Sequence, residues 1–248
     1  MRSDDEASAT SEKMDDASLL SAEPMNRAIS RTLAVDILDG RWKPGTAITL
    51  ESIQNRFGVS RTVARESAKS LESVKVVFVR RRVGLIARPV EEWEALDSQV
   101  IIWKLSSKRR KEQLISLTQL REAVEPVAAG LAATNAPIEV RATMPLLADE
   151  MKQAADEGNL EHFHELDIKF HSLLLKNCGN EMFAALAGTI ATILKGRVEL
   201  GMYPQTPKPE ALEAHLSAAH GVWSGDAEEA RKAMTYLVEE VVDAISHD

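Results

Sequence analysis

The sequence predicts a mainly α protein in two parts: a small basic N-terminal domain of three helices and a β-hairpin, followed by a larger all-α bundle. Three observations predict it. Positive charge is gathered in one stretch. Residues 24–90 hold 13 Lys/Arg against 5 Asp/Glu, a net +8, whereas residues 1–23 carry −5 and residues 91–248 carry −11 in a 248-residue chain of net charge −8. Between Leu50 and Ala87, two short helical segments joined at Gly58 precede two short β-branched runs. From Lys111 onward, apolar residues recur at helical spacing. A content of 44% hydrophobic residues with only 4% aromatics favours Leu/Ala-rich helical packing over a β-sandwich.

The elements follow in chain order. Met1 to Glu23 is rich in Ser, Ala, Asp and Glu without periodicity and reads as a disordered tail. Pro24 to Gly40 opens with a helix-start proline and places Ile29, Leu33, Val35, Ile37 and Leu38 mostly on one face. Trp42 packs against that helix, and Lys43-Pro44-Gly45 makes a turn. In Leu50 to Phe57, Ile53 and Phe57 stand at i and i+4 on one buried face. Gly58 then permits a tight turn, and Ser60 is a natural N-cap. Arg61, Thr62 and Arg65 lead the next helix, where no apolar residue claims the surface. Two short helices with a glycine turn outline a helix-turn-helix, whose second helix offers its N-terminal side chains to base edges. Val76 to Val79 and Leu85 to Ala87 flank Arg80, Arg81, Arg82 and Gly84, a hairpin with an arginine-laden tip. Such a hairpin is a wing, suited to phosphates or a narrow minor groove. The bland alternative is a helical hairpin with a solvated basic face.

The domain boundary falls near Arg88-Pro89, which gives domains at 24–90 and 91–248. Glu91 to Leu105 starts a helical segment in which Trp93, Leu96, Val100, Ile101 and Trp103 are expected to dock on the larger domain. Helices are then expected at Lys111–Asn135, Pro137–Asp156, Asn159–Lys176, Asn180–Leu200, Glu210–Trp223 and Asp226–Ser246, with a proline-rich loop from Gly201 to Pro209. A bundle of six or seven helices buries their stripes. The single cysteine, Cys178, excludes a disulfide framework. No run reaches the length of a membrane span, and the acidic N-terminus lacks a secretory core. The expected location is cytoplasmic.

The bundle also holds the candidate chemistry. Asp167 and His171 at i, i+4 point the same way, and His215 lies on a later helix able to face them. A carboxylate with imidazoles is a plausible part of a divalent metal site, against the alternative of a salt-bridged surface or core pair. Arg121 suits the carboxylate of an acidic ligand, against the alternative of a salt bridge to Glu125 at i, i+4. Arg197 is a second candidate of the same kind.

The stretch from Pro44 to Ala87, PGTAITLESIQNRFGVSRTVARESAKSLESVKVVFVRRRVGLIA, resembles the winged helix-turn-helix domain of the GntR family of bacterial transcription regulators. Pro44-Gly45, Gly58 to Thr62, Arg65-Glu66, Leu71-Glu72 and Gly84 carry the resemblance. It departs at Val63, where proline is usual, and at Lys75, where a glycine usually precedes the wing strand. It departs also at Ser52, where many members carry a DNA-contacting arginine. The residues expected to meet DNA are Thr49, Ser60, Arg61, Thr62, Arg65, Lys69, Arg80, Arg81, Arg82 and Gly84. The segments 120–133, 166–180 and 214–234 resemble the FCD effector domain of FadR-like members. In that domain, Asp167, His171 and His215 match three metal ligands, and the fourth position falls on Leu237, which cannot ligate. The resemblance implies a divalent metal such as Zn, Ni or Mn, or direct hydrogen bonding of an effector. It also implies an effector site that includes Arg121, Asn180 and Arg197. Asp97 to Leu105 resembles a segment of members that answer to sugar acids such as gluconate or galactonate. The function so implied is a homodimeric repressor released from operator DNA by a small organic acid. A metal-sensing regulator and a helical metalloenzyme are the alternatives.

Overall fold

The computed structural model describes residues 23–199 and 207–246. The expected tail before Glu23 and most of the proline-rich loop lie outside the described residues. Helix α1 (Met25–Leu38), strand β1 (Ala47–Ile48), α2 (Leu50–Phe57), α3 (Arg61–Ser73), β2 (Val77–Arg80) and β3 (Gly84–Ala87) form the small domain. The three strands make an antiparallel sheet ordered β1-β3-β2, with Arg80 opposite Gly84 and Ala47 opposite Ile86. Strand β1 was not expected, since two residues are too short to show a period of two. At Gly84 a Cβ would collide with the Ile48 carbonyl oxygen, and φ is +117°, so only glycine lets the wing approach β1.

Beyond a 3-10 turn at Val90–Glu92 come α4 (Ser98–Leu105), α5 (Arg110–Asn135), α6 (Ile138–Asp156), α7 (Leu160–Asn177), α8 (Glu181–Glu199), α9 (Pro209–Ser224) and α10 (Ala227–Ser246). Among the described residues, seven helices follow the wing, within the six or seven expected, with ends within about two residues of the sequence boundaries except at α4. Helix α5 runs through Pro126 without ending.

Helix α4 and the turn before it depart from the expectation that their apolar residues dock on the larger domain alone. Trp93, Val100 and Trp103 join the small domain's core with Ile29, Leu33, Ile53, Leu71 and Leu85. Only Ile101 and Leu105 belong to the bundle core, and Leu96 is 53% exposed. Residues 100 and 103 share one face of the helix and residues 101 and 105 another, so an eight-residue helix apolar on both sides serves two cores. Polar bonds reinforce the joint. Ser70 Oγ of α3 donates to Gln99 Oε1 of α4 at 3.2 Å, and the Lys108 backbone N–H donates to Asp39 Oδ1 at 3.0 Å. Thr189 Oγ1 of α8 donates to the Leu96 carbonyl at 3.2 Å.

Candidate functional site

Two places concentrate charge, one in each part. The first is the face shared by α2, α3 and the wing. Helix α2 starts in a capping box: Ser52 N–H donates to Thr49 Oγ1 at 3.0 Å and Thr49 N–H donates to Ser52 Oγ at 3.1 Å. Ser52 is therefore a cap residue rather than a base reader. Gly58 closes α2 at φ +64°, and Ser60 caps α3 by accepting from the Val63 N–H at 3.3 Å. A proline at position 63 would have no N–H to give. Ala64, Ser67, Ala68 and Leu71 bury one side of α3. Arg61, Arg65 and Lys69, four residues apart, are left along the other.

These three cations and Arg80, Arg81 and Arg82 of the wing line one groove, and Thr49 and Gly84 line it with them. Ser60 and Thr62 do not line it: Ser60 is spent on the cap, and Thr62 is exposed elsewhere on the first turn. The groove also includes Glu51, Gln54 and Asn55 of α2, which the sequence does not single out. Exposed polar residues beside a single apolar stripe give no periodic signal.

The second place is the middle of the bundle. The buried stripe of α7 runs Phe163, Leu166, Asp167, Phe170, His171, Leu174, so two polar side chains occupy positions a core would give to leucine. Helix α5 does the same with Arg121 and Glu125, and α9 contributes His215. All five are buried. Arg121 Nε donates to Glu125 Oε1 at 2.5 Å, and Glu125 Oε2 pairs with His171 Nδ1. Asp167 Oδ1 lies 3.4 Å from His171 Nε2 and 3.1 Å from His215 Nε2. The rings of Phe163 and Phe170 stand edge-on to His215, with centroids 6.5 and 5.2 Å away. Glu125 was weighed in the sequence only as a salt-bridge partner of Arg121, and here it also joins that arginine to the histidines.

Electrostatics in this cluster are strongly coupled. Burial pushes the Glu125 carboxyl up, but the Arg121 guanidinium and the His171 imidazole outweigh it and hold it down to about 2. Burial likewise opposes ionisation of Asp167, yet His171 and His215 hold its carboxyl well below the ordinary value. His171 is disfavoured as a cation by burial, and Glu125 and Asp167 together raise it to about 9. His164 is lowered, first by burial, with Asp167 raising it and Arg197 lowering it. Arg197 of α8 is itself buried, and its charge reaches the neighbourhood of the cluster through His164. Asn180 has a different role: its Oδ1 accepts from the backbone N–H groups of Met182 at 2.9 Å and Phe183 at 3.4 Å, capping α8. It lies beyond the end of α7, about 9 Å of helix past His171.

The donor set fits a divalent cation. One ligand atom from each of Asp167, His171 and His215 lies within 4.8 Å of the others. His215 Nδ1 must donate to the Ala211 carbonyl, 2.8 Å away, and His171 Nδ1 faces Glu125. Ligating histidines hold their second nitrogen in this way. Both Nε2 atoms then face the Asp167 carboxylate, which requires a proton or a cation between them. Leu237 is buried and offers no donor, so further ligands would come from solvent or a bound molecule.

Fold and groove together define a winged helix-turn-helix DNA-binding protein. The chain belongs to the GntR family of bacterial regulatory proteins, in its FadR-like branch: the gntR family model matches residues 26–86 and the FCD domain model matches residues 116–240. It is similar to the galactonate operon transcriptional repressor of Escherichia coli K12, 25% identical over 209 residues, covering 84% of this chain and 90% of the relative. It is also similar to a probable D-xylose utilization operon transcriptional repressor of Paenarthrobacter nicotinovorans, 24% identical over 227 residues, 87% of this chain and 86% of the relative. Among solved structures, the Listeria monocytogenes protein Lar superposes with a TM-score of 0.57 at 16% identity, covering 92% of this chain and 99% of that one, which shows the shared fold. The family and these relatives make the chain a DNA-binding transcription regulator, not an enzyme. No helix among the described residues is long and apolar enough to cross a membrane.

Proposed function

We propose that the protein represses genes of carbon-source catabolism and leaves its operator when a small organic acid, a sugar acid such as galactonate or gluconate, binds at the buried cluster. The observation that carries this reading is the convergence of Arg121, Glu125, Asp167, His171 and His215 in the bundle interior. Burying charge costs stability even when it is paired, so a buried network without catalytic use is a candidate ligand site. A guanidinium and imidazoles suit a carboxylate. The name of the galactonate-operon relative supports the class of ligand.

A divalent cation such as zinc, nickel or manganese, held by Asp167, His171 and His215, would supply a Lewis-acidic anchor for the acid's oxygens. Arg121 would orient the carboxylate, and Phe163 and Phe170 would keep bulk water from the imidazoles. Helix α4, packed into both cores, would carry the change from cluster to groove. The ligand acts only through its different affinity for two placements of the winged domains. We read the working species as a homodimer, since two winged domains on a near-palindrome double the base contacts.

Fluorescence anisotropy of a labelled duplex, selected by the protein from a randomised pool, tests this. Galactonate or gluconate, with a divalent metal, should release the duplex, and stoichiometric titration should give two chains per duplex. Anisotropy unmoved by the acids, or one chain per duplex at full affinity, would contradict the corresponding part. The second reading, a metal sensor, is favoured by the two Nδ1-anchored imidazoles, and release by metal alone would select it.

A further inference from the structure

The carboxylate of Glu51 is out of keeping with the surface it occupies. It is the second residue of α2, on a first turn fixed by the reciprocal Thr49–Ser52 hydrogen bonds. It is exposed and lines the same groove as Arg61 and Arg65. The two carboxylates of α3, by contrast, have partners. Glu66 Oε1 accepts from Lys69 Nζ at 2.8 Å, and Glu72 Oε1 accepts from the Val79 N–H at 3.3 Å, tying the helix to the wing. Among the described residues, the Glu51 carboxylate has neither an ion-pair nor a hydrogen-bond partner.

A carboxylate near a helix N-terminus is favoured by the macrodipole, which explains why it can sit on α2. That effect is indifferent to which side of the helix the residue takes. Here the side is the one that meets a polyanion, where a carboxylate is repelled unless a donor receives it. The major groove offers two such donors, the amino groups of cytosine N4 and adenine N6. The adenine amino group is flanked by N7, an acceptor that would repel a carboxylate. Cytosine presents its amino group beside C5–H, without a second acceptor of its own. Guanine O6 and N7 and thymine O4 are all acceptors, so the same carboxylate that accepts from cytosine disfavours the other bases.

We propose that Glu51 is a specificity-determining residue that accepts a hydrogen bond from a cytosine amino group in the major groove, beside the bases met by the leading end of α3. The proposal rests on the DNA-binding assignment. It adds a negative reader to a face otherwise dominated by arginine, and so a reason for one position of each half-site to be cytosine.

The test uses the full-length protein as wild type, Glu51→Gln and Glu51→Ala. Each is equilibrated with a pool of randomised duplexes, and the bound fraction is sequenced. Affinities are then measured on the best wild-type duplex and its single base-pair substitutions. Wild type should prefer cytosine at one position of each half-site by roughly 5- to 150-fold. Glu51→Ala should lose that preference, keep those at other positions, and bind unrelated DNA more tightly because a repulsive charge is gone. Glu51→Gln, near-isosteric and thus a guard against misfolding, should move the preference towards adenine, which an amide can address in both directions. Base preferences of Glu51→Ala identical to wild type at every position would overturn the proposal, whether its affinity is unchanged or uniformly raised. A wild-type protein that enriches no sequence would overturn the DNA-binding assignment as well, so the two failures are distinguishable.

Discussion

Lys75 adopts φ +59°, a left-handed conformation that costs a residue with a Cβ about 1–2 kcal/mol, in the turn between α3 and β2. Its ammonium reaches Glu94 Oε1 at 2.5 Å, an exposed pair of small worth. Lys75→Gly and Lys75→Ala both delete that pair, and only glycine relieves the backbone. The glycine variant should therefore be more stable than the alanine variant by about 1 kcal/mol in urea unfolding. Equal stabilities would mean the turn is not strained. Departure from the family pattern at this position was readable in the sequence, and its backbone consequence was not, because φ depends on the turn that the flanking elements close. In the bundle, Glu125 and Asp167 are held below their ordinary values of 4.5 and 3.8. Their contribution to stability is present above those values and is lost as pH falls towards the folded ones. His171 is raised from 6.5 to about 9, so its contribution is whole below 6.5 and lost as pH rises through 9. In a chelator, the cluster should stabilise most between about pH 4.5 and 6.5. Glu125→Gln should flatten the alkaline limb, and a divalent cation should offset it by taking the place of the His171 proton. Alkaline limbs identical in wild type and Glu125→Gln would contradict this coupling.

At the scale of elements, α3 divides its two faces cleanly, with Leu71 and the alanines inward and Arg61, Arg65 and Lys69 along the groove. Arg61→Ala and Arg65→Ala should each weaken binding to the selected duplex by roughly 1–3 kcal/mol if they read bases. Retention assays at constant salt measure it, and unchanged affinity in both would remove α3 from the interface. Helix α3 is legible in the sequence because the Gly58 turn, the Ser60 cap and the basic residues of its leading end agree, whereas its buried face of Ala64, Ser67, Ala68 and Leu71 needed the fold. Helix α4 was read as belonging to one side only. Val100 with Trp103, and Ile101 with Leu105, are apolar on two faces, and sequence spacing cannot say which core claims which. The Asp167–His171 pair was visible at i, i+4, and the reach of His215 to it required the fold. Asn180 fell within a family-like segment, and only its hydrogen bonds show a helix cap.

At the scale of the molecule, positive charge in one domain and a buried polar cluster in the other are joined through α4, Ser70–Gln99 and Asp39–Lys108. Energetic coupling between the two sites must be reciprocal: an acid that weakens DNA binding by some factor is itself weakened by DNA by the same factor. The most direct measurement is calorimetric titration of galactonate, with a divalent metal, into the protein alone and into its complex with the selected duplex. It is repeated with the His171→Ala, His215→Ala double variant. The expected result is tighter binding to the free protein than to the complex, with binding lost in the double variant while its affinity for DNA is kept. Equal affinities in the two titrations, or full affinity in the double variant, would contradict release from DNA through the buried cluster.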